Sequence, residues 1–310
     1  MPGPGREMRG GSDDEEAAVG APVNGGRRGG PAGSELSVAA EQGRLADLVD
    51  PGSPLVPVLT AAGRRFLRPL HVQVVGRPGT GRDTMARALR ERLSLTVIGP
   101  GEGEQGAADA DLWLLVLAGL LRRADRELLA SLPSDRVLVV LGKADTHGDW
   151  DSAVAVASTC ATRLGTPVYP VSQLLACADL DAAEFAALTT MAAAGVGMPS
   201  MAGRFLIGRP GSDERLLRQG LLRRIDAYGI DTALALIESR SPVAATAQDL
   251  SRALRDASGV PDLAGPLGAR VGHIRYWREV ELRCRLEEAA AAGLDRPGAE
   301  RLLAGAGVAG

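Results

Sequence analysis

Five short, almost continuously apolar runs constrain this chain more than any other feature: 71–75 (HVQVV), 95–98 (LTVI), 112–117 (LWLLVL), 137–141 (VLVVL) and 167–171 (PVYPV). Between them lie patterns of helical period, such as Met85, Leu89 and Leu93 at i, i+4 and i+8, and the alanine-rich stretch 150–164. Strands that are apolar on both faces must be covered on both, and parallel strands need a crossover long enough to hold a helix. The expectation is a mostly parallel sheet with helices on both faces, an α/β unit spanning 68–195. With aromatics at only 3% of the chain, its core has to be built from Leu, Val, Ile and Ala.

The flanking segments read differently. Residues 1–34 hold ten glycines, the acidic run Asp13-Asp14-Glu15-Glu16 and almost no bulky apolar side chain, so they are expected to stay disordered. Residues 35–67 predict a helical lead-in, with Ser34 or Ser37 capping its first helix and Pro51-Gly52 breaking it. Beyond Gly195 the strand-like runs cease. Leu217, Leu221 and Ile225 recur at helical spacing, as do Leu267, Val271, Ile274, Leu282 and Leu286. Breaks at Gly229, Ser241-Pro242, Gly259-Pro261 and Gly293 divide 196–310 into four or five helices, an all-helical domain.

Charge and cysteine usage exclude several classes. Of 35 basic residues, Lys143 is the only lysine, so 34 are arginines, consistent with a coding bias rather than an arginine patch. A net charge of −3, and 16 arginines against 14 acids after residue 195, argue against nucleic-acid binding and against a polybasic membrane anchor. Cys160, Cys177 and Cys284 are odd in number and contain no CxxC, so neither a disulfide framework nor a zinc site is indicated. The longest apolar run, Leu112 to Leu121, is too short for a membrane span, and no signal pattern opens the chain. A cytoplasmic protein is expected. His71, His147 and His273 share no metal-ligand spacing, and no metal site is predicted. Ile274, Tyr276 and Trp277 form either core or a partner-binding patch.

The first apolar run leads directly into Gly76-Arg77-Pro78-Gly79-Thr80-Gly81-Arg82-Asp83-Thr84 and then a helical pattern. This is the frame of the phosphate loop G-x-x-x-x-G-K-[ST] in its strand–loop–helix setting. Gly76, Gly79 and Gly81 let backbone N–H groups point inward, and the helix start adds positive potential. Two side chains depart from the frame. Arg82 stands where Lys reaches the terminal phosphates, and Asp83 stands where a hydroxyl holds magnesium, so magnesium is not expected to bind well. Asp83 is expected to cap the helix instead, and Thr84 follows one position late.

The fourth run ends in Gly142-Lys143-Ala144-Asp145 and the fifth in Val171-Ser172-Gln173. With the loop, these strand ends resemble the P-loop GTPases of the Era and bacterial dynamin-like kind. There, [NT]-K-x-D reads guanine and a later strand closes on a Ser-Ala loop. The resemblance implies a shortened P-loop NTPase-like sheet, a base site at Lys143, Asp145 and Ser172, and a phosphate site at Gly76, Gly79, Gly81, Arg82, Asp83 and Thr84. In that setting a carboxylate accepts the ring N–H and the exocyclic amine of guanine, while the lysine stem covers the ring. Gly142 replaces Asn or Thr and has no side chain to tie the base loop to the phosphate loop. Where the family has D-x-x-G, this chain has Ile98-Gly99-Pro100-Gly101, and Leu93 is followed almost at once by Leu95, with no room for a switch segment. The resemblance extends more loosely to 221–229 and 257–259, similar to the helical region of actinobacterial dynamin-like proteins.

Phosphoryl transfer depends on positioning and on charge stabilisation around a metal. Loss of the Lys, the hydroxyl, the Asp and the switch predicts a pseudoenzyme without catalytic residues. Such a protein would bind GTP or GDP, or serve only as a scaffold, beside a protein partner such as an intact homologous GTPase or another helical protein. The alternatives are a slow GTPase completed by a partner, an ATP-binding P-loop protein, and a membrane-associated scaffold. The GKAD strand end speaks against the second, and the balanced charge speaks against the third.

Overall fold

A computed structural model of the chain describes residues 35–100, 110–199, 202–206 and 209–305. The predicted tail 1–34 and Gly101 lie outside the described residues. Five strands, β1 (His71–Val75), β2 (Thr96–Ile98), β3 (Leu112–Leu117), β4 (Val137–Leu141) and β5 (Val168–Pro170), form one sheet in the order β2-β1-β3-β4-β5. Every pairing is parallel, with Val72 opposite Val97, Val74 opposite Leu114, Leu115 opposite Val139 and Val140 opposite Tyr169.

Both faces are covered, as the apolar runs require. On one face α3 (Arg82–Leu93) lays Met85, Ala86, Ala88 and Leu89 against Val72, Val74, Leu114 and Val140. On the other, Ala157 and Cys160 of α5 (Trp150–Leu164), with Leu128 and Leu129 of α4 (Arg123–Ala130), cover Leu115, Leu117, Val139 and Leu141. The chain leaves β1 toward β2 on one side and reaches β3 on the other. The carboxyl ends of β1 and β3 therefore flank a topological switch point, where doubly wound sheets bind ligands. This strand order occurs in more than one doubly wound fold. It singles out that edge of the sheet without naming a family.

The helical regions divide among three clusters. After the short α6 (Gln173–Ala176) come α7 (Ala182–Ala193), α8 (Asp213–Glu238) and α9 (Ala247–Asp256), which share a core of Leu175, Leu188, Phe205, Leu221, Ile225, Ile230, Leu250 and Leu254. Leu267, near the start of α10 (Ala264–Ala291), joins the sheet core. Farther along α10, Leu282 and Leu286, with Ala299 of α11 (Arg296–Gly305), pack on Leu36 of α1 (Glu35–Glu41) and Leu55, Leu59 and Ala62 in and beside α2 (Val56–Leu67). The lead-in helices are thus held by the far end of the chain. Ser37 lies buried inside α1, not at its cap, and Ser34 is outside the described residues.

One sequence expectation for the C-terminal region is corrected. Gly229 does not break a helix. It lies buried inside α8, where a Cβ would stand 2.6 Å from Leu175 Cδ2, so glycine there serves a close crossing of α8 over α6. The interruption is instead at Asp226, whose φ of 58° and ψ of −177° fall in a region open to glycine and costly, by about 1–3 kcal/mol, for other residues. On α10, Ile274 and Trp277 are buried and Arg136 lies over the Trp277 ring at 5.1 Å, whereas Tyr276 is exposed, so two of the three form core. No described helix is long and apolar enough to cross a membrane.

Candidate functional site

The ends of three parallel strands build the site. β1 exits through a loop in which Gly76, Gly79 and Gly81 all have positive φ. Thr80 is buried within it and donates its hydroxyl to the Arg77 carbonyl at 2.9 Å. Arg77 donates through Nε to Asp125 at 2.7 Å, and Asp125, fully buried, accepts the Arg122 amide with its other oxygen. This pair fastens the loop to α4.

Gly81 then stands at the N-cap of α3, and no side chain caps that helix. By contrast, Asp149, Asp181, Ser212 and Thr246 cap α5, α7, α8 and α9. The expectation that Asp83 caps α3 is not met, since its side chain is exposed. First-turn amides of a helix have no intrahelical acceptor. Those of Arg82, Asp83 and Thr84 therefore face outward, ready for an anion. The Arg82 side chain has no ion-pair partner among the described residues.

β4 exits through Gly142, whose amide donates to the Leu117 carbonyl, into Lys143 in the left-handed region (φ 57°, ψ 39°). A single 3-10 turn, Ala144–His147, follows, pinned by Thr146 Oγ1 on the Lys143 carbonyl at 2.8 Å. Lys143 is exposed and Asp145 half-buried, and the Asp145 carboxylate has no hydrogen-bond partner among the described residues. β5 exits into Ser172, which is fully buried. Its hydroxyl accepts the Leu175 amide at 3.3 Å as the cap of α6, and its amide donates to the Ser258 carbonyl.

Gln173 supplies what the sequence reading held to be missing. Its Oε1 accepts the Lys143 amide at 2.7 Å and its Nε2 donates to the Thr80 carbonyl at 2.9 Å. The buried amide thus ties the base loop to the phosphate loop, from β5 rather than from the end of β4. Gly142 is the other half of this arrangement: a Cβ there would lie 2.7 Å from Gln173 Nε2 and 2.8 Å from Val116 Cγ1. A side chain on residue 142 and the Gln173 side chain compete for one space.

A cavity of about 180 Å³ lies at this junction, lined by Gly81, Thr84, Lys143, Asp145, Thr146, Gln173, Leu174 and Asp226. Of the predicted residues it brings together Gly81, Thr84, Lys143 and Asp145. Gly76 and Gly79 belong to the loop beside it and Arg82 and Asp83 to the first turn of α3, while Ser172 supports it from below as a cap. Sequence reasoning passed over Gln173 as a site residue, although its position after Ser172 marked it as a departure from the family. It had no signal for Asp226, which sits within an unbroken helical pattern.

A larger groove of about 640 Å³ adjoins this cavity, sharing Thr84 and Leu174. Its arginines are already engaged. Arg87 pairs with Glu91 and Arg224 with Glu184, while Arg223 donates to the Gln219 carbonyl. Burial first, and then the Glu91 carboxylate, push the Cys177 thiol in its wall up from its ordinary value, away from thiolate chemistry. The smaller cavity, with its uncommitted carboxylate and amides, is the candidate site. Among the described residues no group of three or more His, Cys, Asp or Glu could hold a metal ion. No family model matches the chain, and no curated protein matches it.

Proposed function

We propose that the chain is a degenerate P-loop GTPase-like protein that binds guanine nucleotide without efficient hydrolysis and acts through a protein partner, such as an intact homologous GTPase. The observation that carries this reading is the cavity in which the unpartnered Asp145 carboxylate and Lys143 stand beside Gly81 and Thr84. A carboxylate there accepts the ring N–H and the exocyclic amine of guanine. Adenine, with an acceptor at that ring nitrogen, repels it. At about 180 Å³ the cavity is smaller than the ~300–1,000 Å³ of whole small-molecule sites. It suits a base, with the phosphates running out over the free amides of α3 and the Arg82 side chain.

The same residues argue against hydrolysis. Asp83, exposed on the first turn of α3, adds negative charge beside the phosphates where a metal-binding hydroxyl would be needed. Only Ser94 and Leu95 separate α3 from β2, too few for a segment that closes over a metal. Ile98 is buried in the position of the metal-ordering carboxylate.

Calorimetric titration of the full chain with GDP, GTP and ATP, with and without magnesium, tests both halves. The expected result is guanine-selective binding that magnesium does not strengthen. Loss of a charge-assisted hydrogen bond in Asp145→Ala should weaken it by about 10- to 100-fold. Equal affinity for ATP, or no nucleotide binding at all, overturns the base-reading site. Magnesium-dependent GTP turnover abolished by Asp145→Ala overturns the non-hydrolysing half.

A further inference from the structure

The break in α8 lies against the candidate site. Among the described residues Asp226 is the one of the C-terminal helical region that lines the cavity, and it does so in a backbone conformation poorly suited to a residue with a side chain. One carboxylate oxygen, Oδ1, takes the Ala227 amide at 2.7 Å, and Oδ2 has no partner among the described residues. Both flanks of the break are held from outside the helix. Ile225 is buried in the helical core, Tyr228 stacks on Trp150 of α5 with ring centroids 6.5 Å apart, and Gly229 abuts Leu175. Close packing on each side keeps α8 from straightening, and strained residues that persist in this way cluster at ligand sites.

We propose that Asp226 is a ligand-contacting residue through which the helical region reads the bound nucleotide, its free oxygen accepting an N–H or O–H of the base or ribose. The inference rests on the guanine-nucleotide reading above. Among the described residues two carboxylates, Asp145 and Asp226, and a single cation, Lys143, line the cavity, so it takes the donor-bearing, uncharged end of a nucleotide and turns the phosphates outward. Two donors share the required chemistry, the exocyclic amine of guanine and a ribose hydroxyl. Nucleotides lacking each one separate them.

The experiment compares GDP, IDP (no exocyclic amine) and 2′-deoxy-GDP on the full-length wild type, Asp226→Asn, Asp226→Gly and Asp145→Ala, by calorimetry alongside thermal melting. Both Asp226 variants should bind GDP about tenfold or more weakly. One preference, for GDP over IDP or for GDP over 2′-deoxy-GDP, should shrink in them, and which one it is names the donor; Asp145 keeps its own share of the first. Asp226→Gly should also melt about 2–4 °C higher than wild type, because glycine tolerates the φ at residue 226. GDP affinity within twofold of wild type in both Asp226 variants, while Asp145→Ala still weakens binding, overturns this inference and leaves the base site standing. Weaker binding with both preferences unchanged also overturns it, since Asp226 would then act only on the path of α8. A wild type with no affinity for GDP overturns both readings. If Asp226→Gly melts lower than wild type, Asp226→Asn, which keeps the shape and removes the charge, decides the contact.

Discussion

Replacing Asp111 with alanine is expected to destabilise the protein by about 3–5 kcal/mol, the cost of leaving buried charges without their partner. Asp111 is buried immediately before β3, between two arginines that are themselves nearly buried. Arg65 of α2 reaches Oδ1 at 2.8 Å. Arg278 of α10 holds both oxygens, Oδ1 through Nε at 3.1 Å and Oδ2 through Nη2 at 2.8 Å. The His71 amide, at the start of β1, donates to Oδ2 at 2.9 Å. Arg278 also donates to the carbonyls of Phe66, Arg68 and Pro69. One carboxylate therefore joins α2, β1, β3 and α10. Urea unfolding of the variant against wild type measures the difference.

The same carboxylate makes stability depend on acid. Burial alone would raise its pKa, but the Arg278 hydrogen bond, the His71 amide and the charges of Arg65 and Arg278 outweigh it and hold the group below its ordinary value. A carboxyl with a lower pKa folded than unfolded contributes its full stabilisation above the unfolded value of about 3.9, and loses it as pH falls toward the folded one. Wild type should thus exceed Asp111→Asn most at neutral pH, with the gap closing below about pH 4. A gap that stays constant down to that range would mean that the ion cluster contributes nothing through its charge.

Gln173→Ala is expected to cost about 2–4 kcal/mol, since the buried Thr80 carbonyl and the partly buried Lys143 amide each lose a side-chain tie. Gly142→Ala should cost about 1–3 kcal/mol, from overpacking against Gln173 and Val116. The two changes should not add. With Gln173 cut back, the new methyl at residue 142 enters space the amide has vacated, so the double variant should be more stable than the sum predicts by about 1 kcal/mol. The contact with Val116 Cγ1 still opposes it. Denaturant midpoints of the four proteins close this cycle. Strict additivity would show that the tie and the glycine are unrelated.

The parallel sheet and the loops at its carboxyl edge were legible in the chain because their determinants are local. Runs such as VLVVL at 137–141 satisfy their backbone groups in a sheet and leave apolar side chains on both faces, so helices must cover both. Glycines after β1 mark a loop of positive φ, and Lys143 and Asp145 follow β4 directly, so the loops at the carboxyl end of a parallel sheet could be named residue by residue. Long-range partners leave no such periodic trace. Gly142 reads as a loss until Gln173 is seen in its space. Ser172 reads as a base contact, and only the fold shows that its hydroxyl also caps α6. Asp226 reads as an ordinary turn of helix, and Gly229 as the break that Asp226 supplies. Asp111 reads as a residue before a strand, with no sign of Arg65 or Arg278. Which loop ties to which, and which helix closes the cavity, depends on side chains that meet only after the sheet has formed and α8 and α10 have packed on it, because their energy comes from burial and from distances of about 3 Å between residues far apart in the chain.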